Sequence, residues 1–265
     1  MKFSTSKPFA KKSFGQNFLV DQNVIDKIIA ALNPQTGETI IEIGAGRGAL
    51  TEKLVESGAE VIAIELEREM ISILQKKFGN TPNFQLIEQD ALQIKFNRLT
   101  NEATNLPKKK LVANLPYNIS TAILQKLIEQ REVFSEMILM FQREVVERMT
   151  AKAGSSNRGF LSVLAQNYLE TEKLFDVPPD AFRPIPKVWS SVVRLKPKEK
   201  IVKNESLFRE VVSISFAQKR KTILNNLKNK FAHAEIILVR AEIDPKRRAE
   251  TLSMEEWQRI TEIIG

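Results

Sequence analysis

The chain contains no cysteine and a single histidine, His233, in 265 residues. Without cysteine there are no disulfides, no thiolate nucleophile and no zinc finger. A serine–histidine–aspartate triad or an imidazole metal centre would have to be built around His233, in a basic C-terminal stretch without supporting ligands. His233 is therefore read as a surface or semi-buried helical residue, and no metal site is expected. Long apolar runs are missing too, since none approaches the ~20 residues of a membrane span. The N-terminus carries charge but no apolar segment, so it is not a secretory signal. The expectation is a cytoplasmic protein with no membrane partner. Acidic residues are absent from the start, where Lys2, Lys7, Lys11 and Lys12 all precede the first acid, Asp21.

What is present is a basic, ordinarily apolar chain. Its formal charge is +8, its sequence pI about 9.5, and 43% of its residues are hydrophobic. That length and apolar content support one large domain and a smaller one. A surplus of this size predicts an anionic partner, because a basic surface attracts phosphate. Beyond the N-terminal lysines, basic clusters occur at Lys108–Lys110, Lys219-Arg220-Lys221 and Lys246-Arg247-Arg248. Four such groups in one chain point to nucleic acid, with the group at Lys108–Lys110 the best candidate for a merely solvated surface.

Hydrophobic spacing gives the organisation. Val24, Ile25, Ile28, Ile29 and Leu32 follow Asp21 at helical spacing, and Pro34 and Gly37 stop that helix. Strands at 39–43, 61–64, 84–87, 111–113 and 137–141 then alternate with helices at 49–57, 67–78 and 120–130. This alternation predicts right-handed βαβ units and a doubly wound parallel sheet, an α/β fold. Residues 97–110 read as a polar excursion, 160–168 as a helix and 188–195 as a further strand. Prolines at 178, 179, 184 and 186 lack N–H donors and exclude regular structure between 177 and 186. After the lysine-rich run 196–203 only helical patterns follow. The predicted division is therefore 1–200 for the α/β domain and 201–265 for a small helical one.

Two constellations carry the chemistry. The first is Glu42-Ile43-Gly44-Ala45-Gly46-Arg47-Gly48, a glycine turn after a strand, where Gly44 and Gly46 let a ligand approach the backbone at a helix start. Glu65, at the end of the next strand, is placed to accept from both hydroxyls of a ribose. These two features also fit a nicotinamide dinucleotide. Asp90-Ala91, after the third strand, tips the reading towards S-adenosylmethionine. The carboxylate can accept from an adenine amino group, and the Ala91 N–H can donate to the ring. Glu42 also suits an ammonium and a sulfonium better than a pyrophosphate. Gly15-Gln16-Asn17-Phe18-Leu19 could close over such a cofactor, with the Gln16 and Asn17 amides hydrogen-bonding its amino-acid end and Leu19 counted among the cofactor residues.

The second constellation is Asn114-Leu115-Pro116-Tyr117, where an apolar strand hands over to a helix. The Asn114 side-chain oxygen and the Leu115 carbonyl, fixed by Pro116, can hold an –NH2 group while Tyr117 stacks on the ring bearing it.

In this order, Phe14-Gly15-Gln16-Asn17-Phe18-Leu19, the glycine turn, Glu65, Asp90-Ala91, Asn114-Leu115-Pro116-Tyr117, Gln142-Arg143-Glu144-Val145-x-x-Arg148 and Phe182-x-Pro184-x-Pro186-x-Val188-x-Ser190 resemble the small-subunit ribosomal RNA adenine N6,N6-dimethyltransferases. The resemblance runs on through Phe216-Ala217-Gln218-Lys219-Arg220-Lys221 and Arg248-x-Glu250-x-Leu252-Ser253. It implies a Rossmann-like methyltransferase domain carrying a basic N-terminal arm, with a helical RNA-binding domain behind it. It also implies dimethylation of two adjacent adenosines in the 3′-terminal hairpin loop of small-subunit RNA during ribosome biogenesis. A sister family that methylates a large-subunit adenosine generally has isoleucine where Leu115 stands. The implied site adds Phe182, which would face Tyr117 across a flipped adenine. The implied cofactor is S-adenosylmethionine, the implied partner a small-subunit particle, and the enzyme is expected to act as a monomer. Trp189 departs from the pattern, as a bulky side chain between Val188 and Ser190. Two rival readings are an assembly factor that binds RNA without turnover and a nicotinamide-dependent oxidoreductase.

Overall fold

A computed structural model describes residues 17–99, 108–199 and 202–265. Gln16 and the N-terminal lysines lie outside them. In chain order the elements begin with β1 (Phe18–Leu19), α1 (Gln22–Leu32), β2 (Thr39–Ile43), α2 (Ala49–Glu56), β3 (Glu60–Glu65), α3 (Arg68–Phe78) and β4 (Phe84–Glu88). They continue with β5 (Lys109–Asn114), α4 (Ser120–Glu129), β6 (Phe134–Gln142), α5 (Arg143–Met149) and α6 (Phe160–Tyr168). Then come β7 (Leu169–Val177), β8 (Phe182–Arg183), β9 (Ser190–Pro197), α7 (Glu205–Ser215), α8 (Ile223–Leu227), α9 (Ala234–Arg240) and α10 (Met254–Ile264).

Local chemistry sets the element ends. Asp21 caps α1 by accepting from the Asn23 and Val24 amides, and Asn33 closes it in the left-handed region at φ 46°. The apolar face of α1 then buries Val24, Ile25, Ile28 and Leu32 against the sheet core, together with Ile40, Val112, Ile138 and Val192. Full burial of a side chain of this size is worth about 1.5–3 kcal/mol.

The main sheet runs β4-β3-β2-β5-β6-β9-β7. Pairs β2–β3, β2–β5, β3–β4 and β5–β6 are parallel, as the alternation predicts. The α/β prediction therefore holds, but the sheet is mixed, because β9 runs antiparallel to β6 from Gln142↔Ser190 to Met137↔Leu195. The proline-rich segment delivers the chain to the carboxyl end of β6, so β9 starts beside Gln142 and runs back against it. β7 was not legible in the sequence. Leu-Glu-Thr-Glu-Lys-Leu-Phe-Asp-Val has no clean alternation, and as the last strand of the sheet it carries the charges that protect an exposed edge. Within the proline-rich segment, Phe182–Arg183 does pair, as β8 with β1.

The chain divides into two compact units. One comprises residues up to Arg143 with Glu172–Pro197, and the other Glu144–Thr171 with Lys198–Gly265. The expected cut near residue 200 differs in one respect, since 144–171 groups with the C-terminal helices. In that second unit Tyr168 meets Phe208 edge-on, and Phe216 packs on Trp257. Arg247 grips Glu256 with two nitrogens there, so one residue of the basic cluster 246–248 is structural. Lys219, Arg220, Lys221, Lys246 and Arg248 stay exposed. Of the group at 108–110 only Lys108 is exposed, because Lys109 and Lys110 open β5. Lys109 is buried, and Lys110 binds the Leu32 and Asn33 carbonyls and pairs with Glu38 at 3.0 Å.

Candidate active site

Parallel strands deliver their last residues to one edge, so Glu42-Ile43-Gly44, Glu65 and Asn114 meet at the carboxyl ends of β2, β3 and β5. A cleft of about 360 Å³ opens there, lined by Asn17, Gly44, Gly46, Glu65, Asp90, Ala91, Asn114, Leu115, Pro116 and Tyr117, among others. The volume lies at the small end of ligand sites. Every cofactor residue inferred from the sequence is brought together in it, except Gln16, outside the described residues, and Leu19.

Leu19 and Phe182 stand apart from the cleft lining. Both side chains are buried in the sheet core, Phe182 completely, and neither lines the cleft. Antiparallel pairing places Leu19 opposite Phe182, which turns both to the same inner face. Phe182 therefore packs inside the sheet core, away from the cleft lining.

The glycine turn is strained in the way only glycine tolerates. Gly46 sits at φ +56° with the Phe18 ring where a Cβ would come within 3.3 Å, and a Cβ on Gly48 (φ +83°) would strike Phe78 at 2.7 Å. Phe18 covers the turn, with the Arg47 guanidinium 4.3 Å from its ring centroid. Sequence reasoning passed over Phe18, although it stands inside a quoted motif.

Glu65 is held by the backbone around it. Oε2 accepts from Gly46 N at 2.9 Å, and Oε1 accepts from the Leu66 and Glu67 amides at 2.9 and 3.0 Å. Asp90 caps a short turn through Oδ1, which accepts from Leu92 N at 2.9 Å, and also lines the cleft. Leu66 projects from the cleft wall with 53% of its surface exposed, an apolar edge beside these acids. Beneath the turn, Glu42 is buried and accepts from Thr51 Oγ1 at 2.6 Å. Burial drives its pKa up to about 7 despite that bond, and the charge of Glu65 raises it further.

Asn114 donates from Nδ2 to the carbonyl of Asn17 at 3.2 Å. A main-chain carbonyl can only accept, so the amide orientation is determined by its partner. Oδ1 is left as an acceptor with no donor among the described residues. Tyr117 is half-buried, shares a 2.8 Å hydrogen bond with Ser190 Oγ, and has its phenol pKa pushed up by burial. In the sequence Ser190 stands out only as part of a motif.

The donor set decides between cofactor classes. Among the described residues the cleft is lined by Glu65, Glu67 and Asp90, and by no lysine or arginine. Such a wall suits ribose hydroxyls, an adenine amine and a cationic ligand, and it repels a pyrophosphate. Among the described residues no group of three or more His, Asp or Glu could hold a metal, and no helix is long and apolar enough to cross a membrane.

A family model for ribosomal RNA adenine dimethylases matches residues 9–265. A protein of Hahella chejuensis named ribosomal RNA small subunit methyltransferase A is 44% identical over 262 residues, covering 96% of this chain and 93% of that protein. One from a Geobacillus species with the same name is 42% identical over 267 residues, covering 96% of this chain and 91% of that protein. Among solved structures, a dimethyladenosine transferase from Plasmodium falciparum superposes with a TM-score of 0.77 at 29% identity, covering 92% of this chain and 95% of that one. The 23S rRNA methyltransferase ErmE shares the fold, with a TM-score of 0.70 at 23% identity over 93% of this chain and 99% of its own.

Proposed function

The chain belongs to the ribosomal RNA adenine dimethylase family, and from that premise we propose that it dimethylates N6 of two adjacent adenosines in the 3′-terminal hairpin loop of small-subunit ribosomal RNA. The single observation that carries the reading is the tethered amide of Asn114. That amide is tied to the Asn17 carbonyl, and it lines the same acid-walled cleft as Tyr117.

S-adenosylmethionine, held there, would supply an electrophilic sulfonium methyl, the methyl–sulfur bond breaking so that sulfur leaves as a neutral thioether. The residues supply placement. Glu65 binds the ribose, Asp90 and the Ala91 amide hold the cofactor's adenine, and Asn17 contacts the amino-acid end. The target adenine leaves its stack and lies against Tyr117, held by about 1–3 kcal/mol. Asn114 Oδ1 and the Leu115 carbonyl accept its two N–H bonds. That geometry pulls the amine towards pyramidal and frees its lone pair for in-line attack. Once the nitrogen has gained its fourth substituent, the surplus proton leaves to water, so no strong base is required. Positioning of this kind supplies ~7–11 kcal/mol. In the second transfer the monomethylated amine keeps one N–H, and one of the two acceptors suffices.

The exposed Lys219, Arg220, Lys221, Lys246 and Arg248 support phosphate contacts by the helical unit, which orient RNA without reading its sequence. The N-terminal lysines would add to them. We read the enzyme as a cytoplasmic monomer acting on a precursor small subunit. Incubation with unmethylated small subunits and labelled cofactor, followed by mass spectrometry of the RNA, tests the reading. Two dimethyladenosines in the 3′ loop are expected, and label elsewhere or none at all refutes it.

A further inference from the structure

Trp189 has no part in the site just described, and its surroundings are unusual. It is 43% exposed, the one aromatic residue among the large hydrophobic side chains left exposed in the described residues. Trp257, Tyr168, Phe208 and Phe182 are all buried. The backbone around Trp189 is well anchored. Its carbonyl accepts from Arg143 N at 2.9 Å, extending the β6–β9 ladder by one residue beyond Gln142↔Ser190. The Arg143 guanidinium lies over the indole, 5.7 Å from the ring centroid. Ile185, Lys187 and Val188 on the same return are exposed as well.

The adjoining residue ties this platform to the site. Ser190 turns inward to hold the Tyr117 phenol at 2.8 Å. Consecutive side chains of an extended strand point to opposite faces, so Trp189 faces outward beside the wall that carries Tyr117. It cannot stack on a base held by Tyr117. It can stack on the next one.

We infer that Trp189 is a binding platform for the unpaired RNA base flanking the adenosine held at Tyr117, with Arg143 and Lys187 facing the adjoining phosphates. The inference rests on the RNA adenosine reading above and extends it to a second nucleotide. When an adenosine leaves its stack, its neighbour loses a stacking surface. An indole beside the wall replaces that surface, and any base has a face to offer it. Cations around an exposed apolar ring match a single strand, with its aromatic bases and anionic backbone, better than they match an apolar protein surface.

Steady-state kinetics on unmethylated small subunits should separate the possibilities. Trp189→Ala is expected to raise KM for RNA about 5- to 100-fold, the range of one lost base–aromatic stack. It should change kcat and cofactor affinity far less, and Trp189→Phe should restore most of the KM. A second readout is independent of turnover. Indole emission should be quenched as a single-stranded adenine-containing oligonucleotide is added, and Trp189→Phe should abolish the change, because Trp257 is fully buried. Normal KM in Trp189→Ala, or unquenched emission while the wild type turns over, overturns the platform. Raised KM on particles with normal binding to naked RNA and no quenching also overturns it, and assigns the patch to a ribosomal protein. Absence of wild-type methylation refutes the parent reading instead, and quenching still decides the platform.

Discussion

The Asn114 side chain reaches back 97 residues to donate to the carbonyl of Asn17. This bond joins the end of β5 to the segment that enters β1, and it aims Oδ1. Asn114→Ala removes both the acceptor and the tether. By analogy with loss of one preorganised polar group, turnover should fall about 10²–10³-fold. Calorimetric cofactor affinity should change far less. Turnover within about threefold of wild type would contradict the assigned role.

Glu65 satisfies three amide donors at once. Replacing it with alanine leaves those donors without their carboxylate and loosens the Gly46 turn. Charge-assisted bonds contribute about 1.5–3 kcal/mol each. Cofactor affinity should fall at least about tenfold, whereas RNA affinity in the absence of cofactor should not move. Equal cofactor binding in an equilibrium titration would remove Glu65 from the ribose site.

The buried Glu42 predicts a pH signature. Its folded pKa is raised to about 7 from 4.5, so the folded state resists an ionisation that the unfolded chain undergoes freely. The sign follows directly. Stability from this group is complete below pH 4.5, declines as pH rises, and levels off above about 7, a change of at most about 3 kcal/mol. Glu42→Gln keeps an acceptor for Thr51 and cannot ionise. Urea unfolding of the two proteins from pH 5 to 8 should show wild type losing stability relative to the variant. Parallel curves would contradict the buried-acid assignment.

Tyr117 and Ser190 share one hydrogen bond, so their variants should pair. Tyr117→Phe and Ser190→Ala each lose up to about 1 kcal/mol of positioning, at most about fivefold in turnover. Tyr117→Ala also loses the stacking face, which should lower turnover about 5- to 100-fold. A Tyr117→Phe variant as impaired as Tyr117→Ala would show that the hydroxyl, not the ring, matters.

Phe182 is a core residue, and its variant should behave as one. Truncation to alanine should cost about 3–5 kcal/mol of stability, read as a lowered Tm. Substrate affinity per folded molecule should be unaltered. A normal Tm with lost turnover would return Phe182 to the target pocket.

The readable parts of this molecule were those governed by local rules. Apolar spacing behind Asp21 marked α1, and glycines at 44, 46 and 48 marked a turn that only they can make. Acids at the ends of β3 and β4 were placed correctly because parallel strands all deliver their ends to one edge. β7 escaped because a charged edge strand has no apolar alternation to read. The lysines at 109 and 110 misled, since the sequence does not say that one enters a strand buried and the other meets Glu38.

Residue identity alone determined the chemistry on offer: carboxylates after two successive strands, one short amide before a proline and a tyrosine, no thiol, and a single imidazole far along the chain. Tertiary pairing decided which of these side chains face the ligand. Pairing with Leu19 turned Phe182 into the core, and the antiparallel return of β9 put Ser190 on Tyr117 while leaving Trp189 in solvent. The reason is geometric: strand side chains alternate, so the register between distant segments chooses the face, and one residue's slip would exchange inside for outside.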